Sequence, residues 1–255
     1  MPEESVKRIG ERLTSAFRLN SRPIAIYGIE TVPRDATPIR DLHRCIAEVL
    51  YRMATERHLN AVYTGGDTTE GCCPGGLTYL GYLERPSFIR YFVSTGSDKV
   101  REGAAEYLKA SPEIVDRSVA AVGKIESIGK YLVAQPCERV PDGIEIRSIC
   151  LFGNAEQIRN VAALVHFGRD DPFLPVLVPW GAACATLITY PAGLASRAPR
   201  ESAFMGPQDP TFNHVLPPHC MAMGIPALVV RKMIQNLDQS FVIRRPQVAF
   251  PQREG

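Results

Sequence analysis

An uncharged stretch of 25 residues, from Pro172 to Ser196, places the tightest limit on how this chain can fold. Its length would suit a membrane-spanning helix, which needs about 20 continuous apolar residues. Proline at high density breaks helices, and four prolines interrupt this stretch. The sequence therefore predicts no membrane span here, but buried core built from a strand, a turn and a short helix. The four prolines are Pro172, Pro175, Pro179 and Pro191.

The composition is that of an ordinary globular protein. Of the 255 residues, 45% are apolar and 22% are charged, which excludes a disordered chain, a collagen and a coiled coil. The formal net charge of +2 gives no electrostatic preference for nucleic acid or an anionic membrane. The N-terminal sequence lacks an apolar secretory segment, and the seven cysteines are too few and too irregular for a disulfide scaffold. We therefore expect a cytoplasmic protein with reduced thiols.

Short runs rich in β-branched and aromatic residues mix with segments of helical periodicity. Because strict strand–helix alternation is missing, the pattern predicts an α+β fold (an irregular α/β), with a mixed sheet and surrounding helices. The two halves share a crude order of elements, which suggests a weak internal duplication. We expect one domain over residues 1–243 and a loose polar tail over 244–255. Predicted strands cover 22–29, 60–64, 87–94, 144–152 and 220–225, and predicted helices cover 3–18, 37–58, 77–83, 98–109, 112–125, 155–167 and 226–239.

The sharpest chemical signal is the sequence GCCPGG at residues 71–76. Pro74 suits the first position of a short helix, which would place Cys73 at the helix N-terminus. Backbone N–H groups and the helix dipole stabilise a thiolate there, and Gly75 and Gly76 allow a ligand to approach the backbone closely. The pattern fits a reactive or metal-ligating cysteine as well as it fits a tight turn with one buried cysteine.

The other cysteines are scattered along the chain. Cys184 lies among small residues, and Cys45 lies within the helix predicted over 37–58; the burial habit of cysteine favours core packing for both. Because no C-x-x-C or H-E-x-x-H pattern occurs, a metal site would have to be assembled from distant segments. Thiolates from scattered positions would suit an iron–sulfur cluster or zinc. The remaining cysteines, in or near predicted strands, are Cys137, Cys150 and Cys220.

Three blocks of sequence together carry a family resemblance. Over roughly residues 5 to 243 the chain resembles DUF169, an uncharacterised family of archaeal and bacterial proteins, many of them from anaerobes. The family has no settled activity to carry over. The three blocks are Cys45 in the helix after the first strand, the run Cys73-Pro74-Gly75-Gly76 followed by Tyr79-Leu80-Gly81, and 181–191 with Cys184, later joined by Pro226, Arg231-Lys232-Met233 and Gln239-Ser240-Phe241.

The resemblance implies that Cys73 and Cys184, and less strongly Cys45, are recurring features of the family. In an intracellular family of anaerobes, such cysteines suggest a thiolate-bound cluster or a redox thiol. Cys72 lies outside the family pattern, so the fourth ligand would be Cys72, Cys220 or an exogenous group.

Two hypotheses about function follow. In the first, three or four of these thiols hold an iron–sulfur cluster, with zinc as the weaker alternative, and the protein has a redox or electron-transfer role in anaerobic metabolism. In the second, a metal-free protein binds a small molecule or acts as a regulator, and its cysteines pack around a pocket. The metal ligands would be Cys45, Cys72, Cys73 and Cys184; the pocket would be lined by Gly75, Gly76, Gly181 and Ala182, with Arg44, Arg90 or Arg147 as partners for an anion.

The sequence leaves several points open. It does not decide whether the chain is an enzyme, which small molecule or redox partner it meets, or whether it forms a homo-oligomer. A structural subunit of a larger complex and metal-free thiol catalysis by Cys73 are further alternatives.

Overall fold

The computed structural model describes residues 4–42, 44–67 and 72–244. These residues form eight strands, which are β1 (Ile24–Ile29), β2 (Thr37–Pro38), β3 (Val62–Gly65), β4 (Tyr131–Pro136), β5 (Ser148–Asn154), β6 (Val176–Leu177), β7 (Ala203–Gly206) and β8 (Cys220–Pro226). They make one sheet in the order β2-β3-β4-β1-β5-β8-β7-β6. The β2–β3 and β6–β7 pairs are parallel and the others antiparallel. The predicted α+β fold with a mixed sheet is confirmed.

The helices flank this sheet. Within the described ranges they are α1 (Val6–Phe17), α2 (Ile39–Leu42), α3 (Ile46–Thr55), α4 (Pro74–Tyr79), α5 (Ile89–Val93), α6 (Pro112–Val122), α7 (Ala155–His166), α8 (Ala227–Asn236) and α9 (Phe241–Arg244), with a π-helix at Ala185–Thr189. Helices α1, α7 and α8 pack on one face of the sheet, around residues such as Tyr27 and Ile225. Helix α3 and the π-helix pack on the other face, around residues such as Ile26 and Phe152.

Each half of the sheet repeats the same arrangement. The order β1-β4-β3-β2 on one side of the centre matches β5-β8-β7-β6 on the other, with the same parallel and antiparallel pairs. Ile24 at the start of β1 lies opposite Pro136, and Ser148 at the start of β5 lies opposite Pro226. Since β1 and β5 pair antiparallel at the centre, the two halves are related by an approximate two-fold axis. The suggested internal duplication is therefore present in the topology.

The prediction of a single helix over residues 37–58 is wrong. Thr37 and Pro38 form β2, which pairs in parallel with β3, and the helical region that follows is divided into α2 and α3. A Thr-Pro pair fits an edge strand as well as a helix start, because an edge tolerates a missing N–H group. Sheet pairing decided between the two. Cys45 consequently precedes α3 as its N-cap instead of lying inside a helix.

Two further predictions between residues 87 and 109 are wrong. Residues 87–94 contain α5 instead of a strand, since periodicity does not separate a short apolar strand from a buried helix. Residues 98–109 hold one 3₁₀ turn, Arg101–Gly103, instead of a long helix. Glu102 and Tyr107 have φ angles of 58° and 51°, which a continuous right-handed helix does not accommodate. The strands β4 and β7 were not predicted.

Three other predictions that depended on local capping signals are confirmed. The Asn154 side chain caps α7 in a capping box with Gln157, Ser111 caps α6, and Pro226 directly precedes α8. These interactions span three residues or fewer, so the local sequence specifies them.

The uncharged stretch is only partly buried core. It contains β6 and the π-helix, as predicted, and most of residues 181–195 are buried. Its first part is not core, since the side chain of Phe173 is 80% exposed. Within the described part of the chain, no helix is long and apolar enough to cross a bilayer. The tail predicted over 244–255 lies, beyond Arg244, outside the described residues.

Candidate functional site

Four cysteines occupy the beginnings of helices on one face of the sheet. Cys45 is the N-cap of α3, and Cys73 is the N-cap of α4, with Pro74 at the first helical position. Cys184 lies in the first helical turn that leads into the π-helix. Cys72 adjoins Cys73, and its sulfur accepts a hydrogen bond from the backbone of Ile46, the first residue of α3.

The four sulfur atoms converge around Gly76. The Cys45 and Cys184 sulfurs are 4.0 Å apart. A Cβ atom placed on Gly76 would lie 3.0 Å from the Cys73 sulfur, 3.1 Å from that of Cys184 and 3.7 Å from that of Cys72. A side chain at Gly76 would therefore crowd the sulfurs, and glycine leaves that space free. We call Cys45, Cys72, Cys73 and Cys184 the thiol cluster.

The thiol cluster concentrates negative charge on Cys73. The thiols of Cys45 and Cys72 donate hydrogen bonds to the Cys73 sulfur, and the backbone N–H of Gly76 donates another at 3.2 Å. These bonds lower the pKa of Cys73 to about 3. Hydrogen bonds to Cys184 and to Cys73 hold the pKa of Cys45 well above its ordinary value, and the bond to Cys73 does the same for Cys72; burial adds to both effects.

The surrounding backbone favours that charge. The N-termini of α3, α4 and the helical segment at Cys184 all point their partial positive charge toward the cluster. Cys184 is buried and Cys45 and Cys72 are partly buried, whereas Cys73 is exposed. The arrangement can therefore stabilise a thiolate at Cys73 while keeping it within reach of a ligand.

A cavity of about 330 Å³ opens beside the thiol cluster. Cys45, Cys73 and Cys184 form part of its wall. Most of the remaining wall is apolar and comes from α5, α6 and their neighbours, together with Tyr79 and Trp180. Sequence reasoning missed this wall, because it placed a strand where α5 lies. The one available signal was Trp180, the single tryptophan, beside Gly181.

Of the three glycines predicted to line a pocket, two lie on the cavity wall and one packs against other residues. Gly75 and Gly76 line the cavity together with Ala182. Gly181 lies against other residues, since a Cβ there would lie 2.8 Å from the Ala185 Cβ and 2.9 Å from the Tyr190 hydroxyl.

The three arginines proposed as anion ligands all have partners in the fold. Arg44 pairs with Glu48, and Arg90 pairs with Asp116 at 2.7 Å. Arg147 donates to the carbonyl of Ala192, at 3.2 Å. These contacts give no support to an anion-binding role.

The three other cysteines have different surroundings. Cys220 contacts the carbonyl of its neighbour Met221 at 3.6 Å. Its charge adds to the effect of burial in raising the pKa values of Tyr51 and Cys150. Cys137 and Cys150 are fully buried, and burial raises the pKa of each thiol. Of the two protein residues considered as a fourth partner, the structure places Cys72 with the other three cysteines.

The sulfurs are arranged as hydrogen-bonded thiols around the Cys73 thiolate. In the described part of the chain, no three His, Cys, Asp or Glu side chains have the arrangement of a metal-ion site. The donor set is nevertheless soft and purely thiol, which suits iron–sulfur clusters or zinc and not magnesium or calcium. A lone low-pKa thiol at Cys73 is also suited to nucleophilic or redox chemistry.

Comparison with known proteins gives one match. The model of the DUF169 family, described as uncharacterised ArCR, matches residues 12–236. This range includes all four cysteines of the thiol cluster and the cavity wall. No curated protein and no solved structure matches the chain.

Proposed function

The chain belongs to the DUF169 family, and we propose that it is a cofactor protein whose thiol cluster holds a thiolate-bound metal centre. An iron–sulfur cluster with a redox or electron-transfer role is the first candidate for the centre, and zinc is the alternative. The observation that carries the proposal is the convergence of four thiols from three separate segments around Gly76. Packing alone gives no reason for four cysteines to meet at three helix N-termini.

The residues present fit such a group chemically. Cys45, Cys72, Cys73 and Cys184 would supply the thiolate ligands, and the helix N-termini would offset their negative charge. Binding would release the remaining thiol protons and replace the hydrogen bonds between sulfurs. An iron–sulfur cluster would supply one-electron transfer, and zinc would supply a Lewis acid. The adjacent cavity would allow a reactant to approach Cys73.

Metal analysis of anaerobically purified protein tests the proposal. We expect stoichiometric iron and acid-labile sulfide with broad visible absorbance. Serine replacement at any one of the four cluster cysteines should lower the metal content. Cys220→Ser is the matched control, because Cys220 is a partly buried cysteine whose contacts lie outside the cluster, and it should keep full metal content.

The outcomes separate the candidates. Zinc without sulfide would support the thiolate site and replace the redox role with a Lewis-acid or structural role. A colourless protein that stays metal-free after anaerobic reconstitution with iron and sulfide, and after incubation with zinc, would overturn the proposal. The second candidate, a metal-free protein that binds a small molecule, would then be favoured, and the observation behind it is the apolar cavity beside Cys73.

A further inference from the structure

We propose that the cavity beside the thiol cluster binds a mainly apolar ring compound that carries no negative charge and has a hydrogen-bond acceptor that faces Trp180. The inference deepens the proposed function and rests on it in one respect, since the ligand would lie against the thiols that hold the metal centre. Three observations support it: the character of the wall, the state of its charged groups and one unpartnered donor.

The wall of the cavity is apolar and rich in rings. Helix α5 has the sequence IRYFV and contains no fully buried residue, because Ile89, Phe92 and Val93 face the cavity. Tyr79 and Trp180 contribute two more rings. A volume of about 330 Å³ is at the small end of the range for ligand pockets. Stacked and edge-on ring contacts in such a space favour a flat apolar molecule of modest size.

The carboxylates and the guanidinium on the wall already have partners, and the Cys73 thiolate adds a negative charge beside them. Arg85 pairs with Asp116 at 2.9 Å, and Glu48 pairs with Arg44. Asp209 accepts hydrogen bonds from the backbone of residue 183 and from residue 211, and Glu106 is not free either. An anionic ligand would lose its hydration near the Cys73 thiolate without gaining a free cationic partner, which is costly. An uncharged ligand avoids this cost.

One donor on the wall lacks a partner. The indole nitrogen of Trp180 is buried and makes no hydrogen bond, although the ring itself is held by Lys109, whose ammonium lies 4.6 Å from the ring centroid. A buried donor without an acceptor is unfavourable. A carbonyl or similar acceptor on the ligand would satisfy it and would fix the orientation of the ring.

Fluorescent probes test the inference on the anaerobically purified protein. The neutral naphthyl ketone 6-propionyl-2-(dimethylamino)naphthalene should bind with a blue-shifted emission. The anionic probe 1-anilinonaphthalene-8-sulfonate should bind at least about tenfold more weakly, because its sulfonate finds no counter-charge. Trp180→Phe should weaken binding of the ketone roughly two- to tenfold, which corresponds to the loss of one hydrogen bond.

Two filling variants place the probe in this cavity. Gly75 lines the cavity, and a Cβ there meets no atom within 4 Å, so Gly75→Phe should fill the space and weaken ketone binding at least about tenfold. Val119→Phe, on another part of the wall, is the second filling variant should the first fail to fold. Gly66→Phe is the matched control, since a Cβ at Gly66 also meets nothing within 4 Å and Gly66 lies outside the cavity wall.

The results separate this inference from the proposed function. Failure of the ketone to bind, equal binding of the anionic probe, or unchanged binding in the filling variants would each overturn the inference. Metal content measured on the same samples reports on the proposed function independently. If the protein holds metal but does not bind the ketone, the proposed function stands and this inference fails. If it binds the ketone but holds no metal, this inference stands and the proposed function fails.

Discussion

The two halves of the sheet have the same strand order, but they differ greatly in one connection. Between β3 and β4 the chain runs through residues 66–130, whereas between β7 and β8 it runs only through residues 207–219. The long connection contains Cys72, Cys73 and helices α4, α5 and α6. One half is therefore close to a minimal repeat, and the other carries an insertion that contributes half of the thiol cluster and much of the cavity wall.

The features that the halves share are equally informative. Each half has a short strand, then helical structure, then a strand parallel to the first: β2-α2-α3-β3 in one and β6-π-helix-β7 in the other. Cys45 lies seven residues after the end of β2, and Cys184 lies seven residues after the end of β6. The approximate two-fold axis thus brings two equivalent cysteines together. The insertion adds two more and turns a sulfur pair into a four-thiol site.

The paired helices also lie at different distances from the sheet. By the shared register, Gly224 in β8 corresponds to Ala134 in β4. A Cβ at Gly224 would lie 2.8 Å from the Thr186 carbonyl oxygen and 3.0 Å from that of Leu187, so the π-helix backbone rests on the glycine. Helix α3 leaves room for the methyl group of Ala134. The closer packing accompanies the complete burial of Cys184, which is 1% exposed.

The largest expected effect concerns the pKa of Cys73, which Cys45 lowers and its equivalent Cys184 does not. In reduced, metal-free protein, alkylation of Cys73 by iodoacetamide should be nearly independent of pH between 5 and 8, since a pKa of about 3 keeps the thiol ionised. Cys45→Ala removes the strongest hydrogen bond to that thiolate, so the pKa of Cys73 should rise. The alkylation rate at pH 5 should then fall at least about twofold and recover as the pH increases.

The control for this experiment is Cys184→Ala. Cys184 does not contribute to the lowered pKa of Cys73, so the flat pH profile should persist. Mass spectrometry of the labelled protein should find Cys137 and Cys150 unmodified, because both are fully buried. A tenfold increase in rate per pH unit in the unmutated protein would contradict the assignment of Cys73 as the thiolate.

The second expected effect concerns the close contact in the second half. Gly224→Ala should lower the free energy of unfolding by about 2 to 3 kcal/mol, because backbone carbonyls cannot yield to the added methyl group. The reverse change at the equivalent position, Ala134→Gly, should cost only about 1 kcal/mol. Urea denaturation measures both. Equal losses in the two variants would mean that the two helices approach the sheet equally closely.

The smallest expected effect compares neighbouring glycines in α4. Gly75→Ala should leave the free energy of unfolding unchanged or raise it by up to about 1 kcal/mol, because alanine favours helix and its Cβ meets nothing there. Gly76→Ala makes the same helical gain but crowds the sulfurs of Cys73 and Cys184, so it should be about 1 to 2 kcal/mol less stable than Gly75→Ala.

A double-mutant cycle links that difference to the thiol cluster. In a Cys184→Ala background the penalty at Gly76 should shrink, since one crowding sulfur is gone. A penalty that persists at full size would locate the clash somewhere other than these sulfurs.

Sequence reasoning was most successful where the deciding contacts are local. Helix α7 with its cap Asn154, helix α6 with Ser111 and Pro112, and the strand β8 were predicted near their actual positions. The prediction of Cys73 at a helix N-terminus also depended only on the adjacent proline, and the structure places it there. The strand β4 was missed because its partners β1 and β3 lie far away in the sequence, and β7 was missed because it has only four residues and lies in a proline-containing segment.

What the sequence alone determined were the caps of α6 and α7, the α+β class and the position of Cys73 at the start of α4, because each is indicated by residues that lie close together in the sequence. Only the tertiary structure decided that Cys45 and Cys184 meet, since they are 139 positions apart and are brought together by the pairing of the two sheet halves. The cavity likewise needed α5 and α6 to fold back over the sheet, and no periodicity within those short segments encodes that long-range packing.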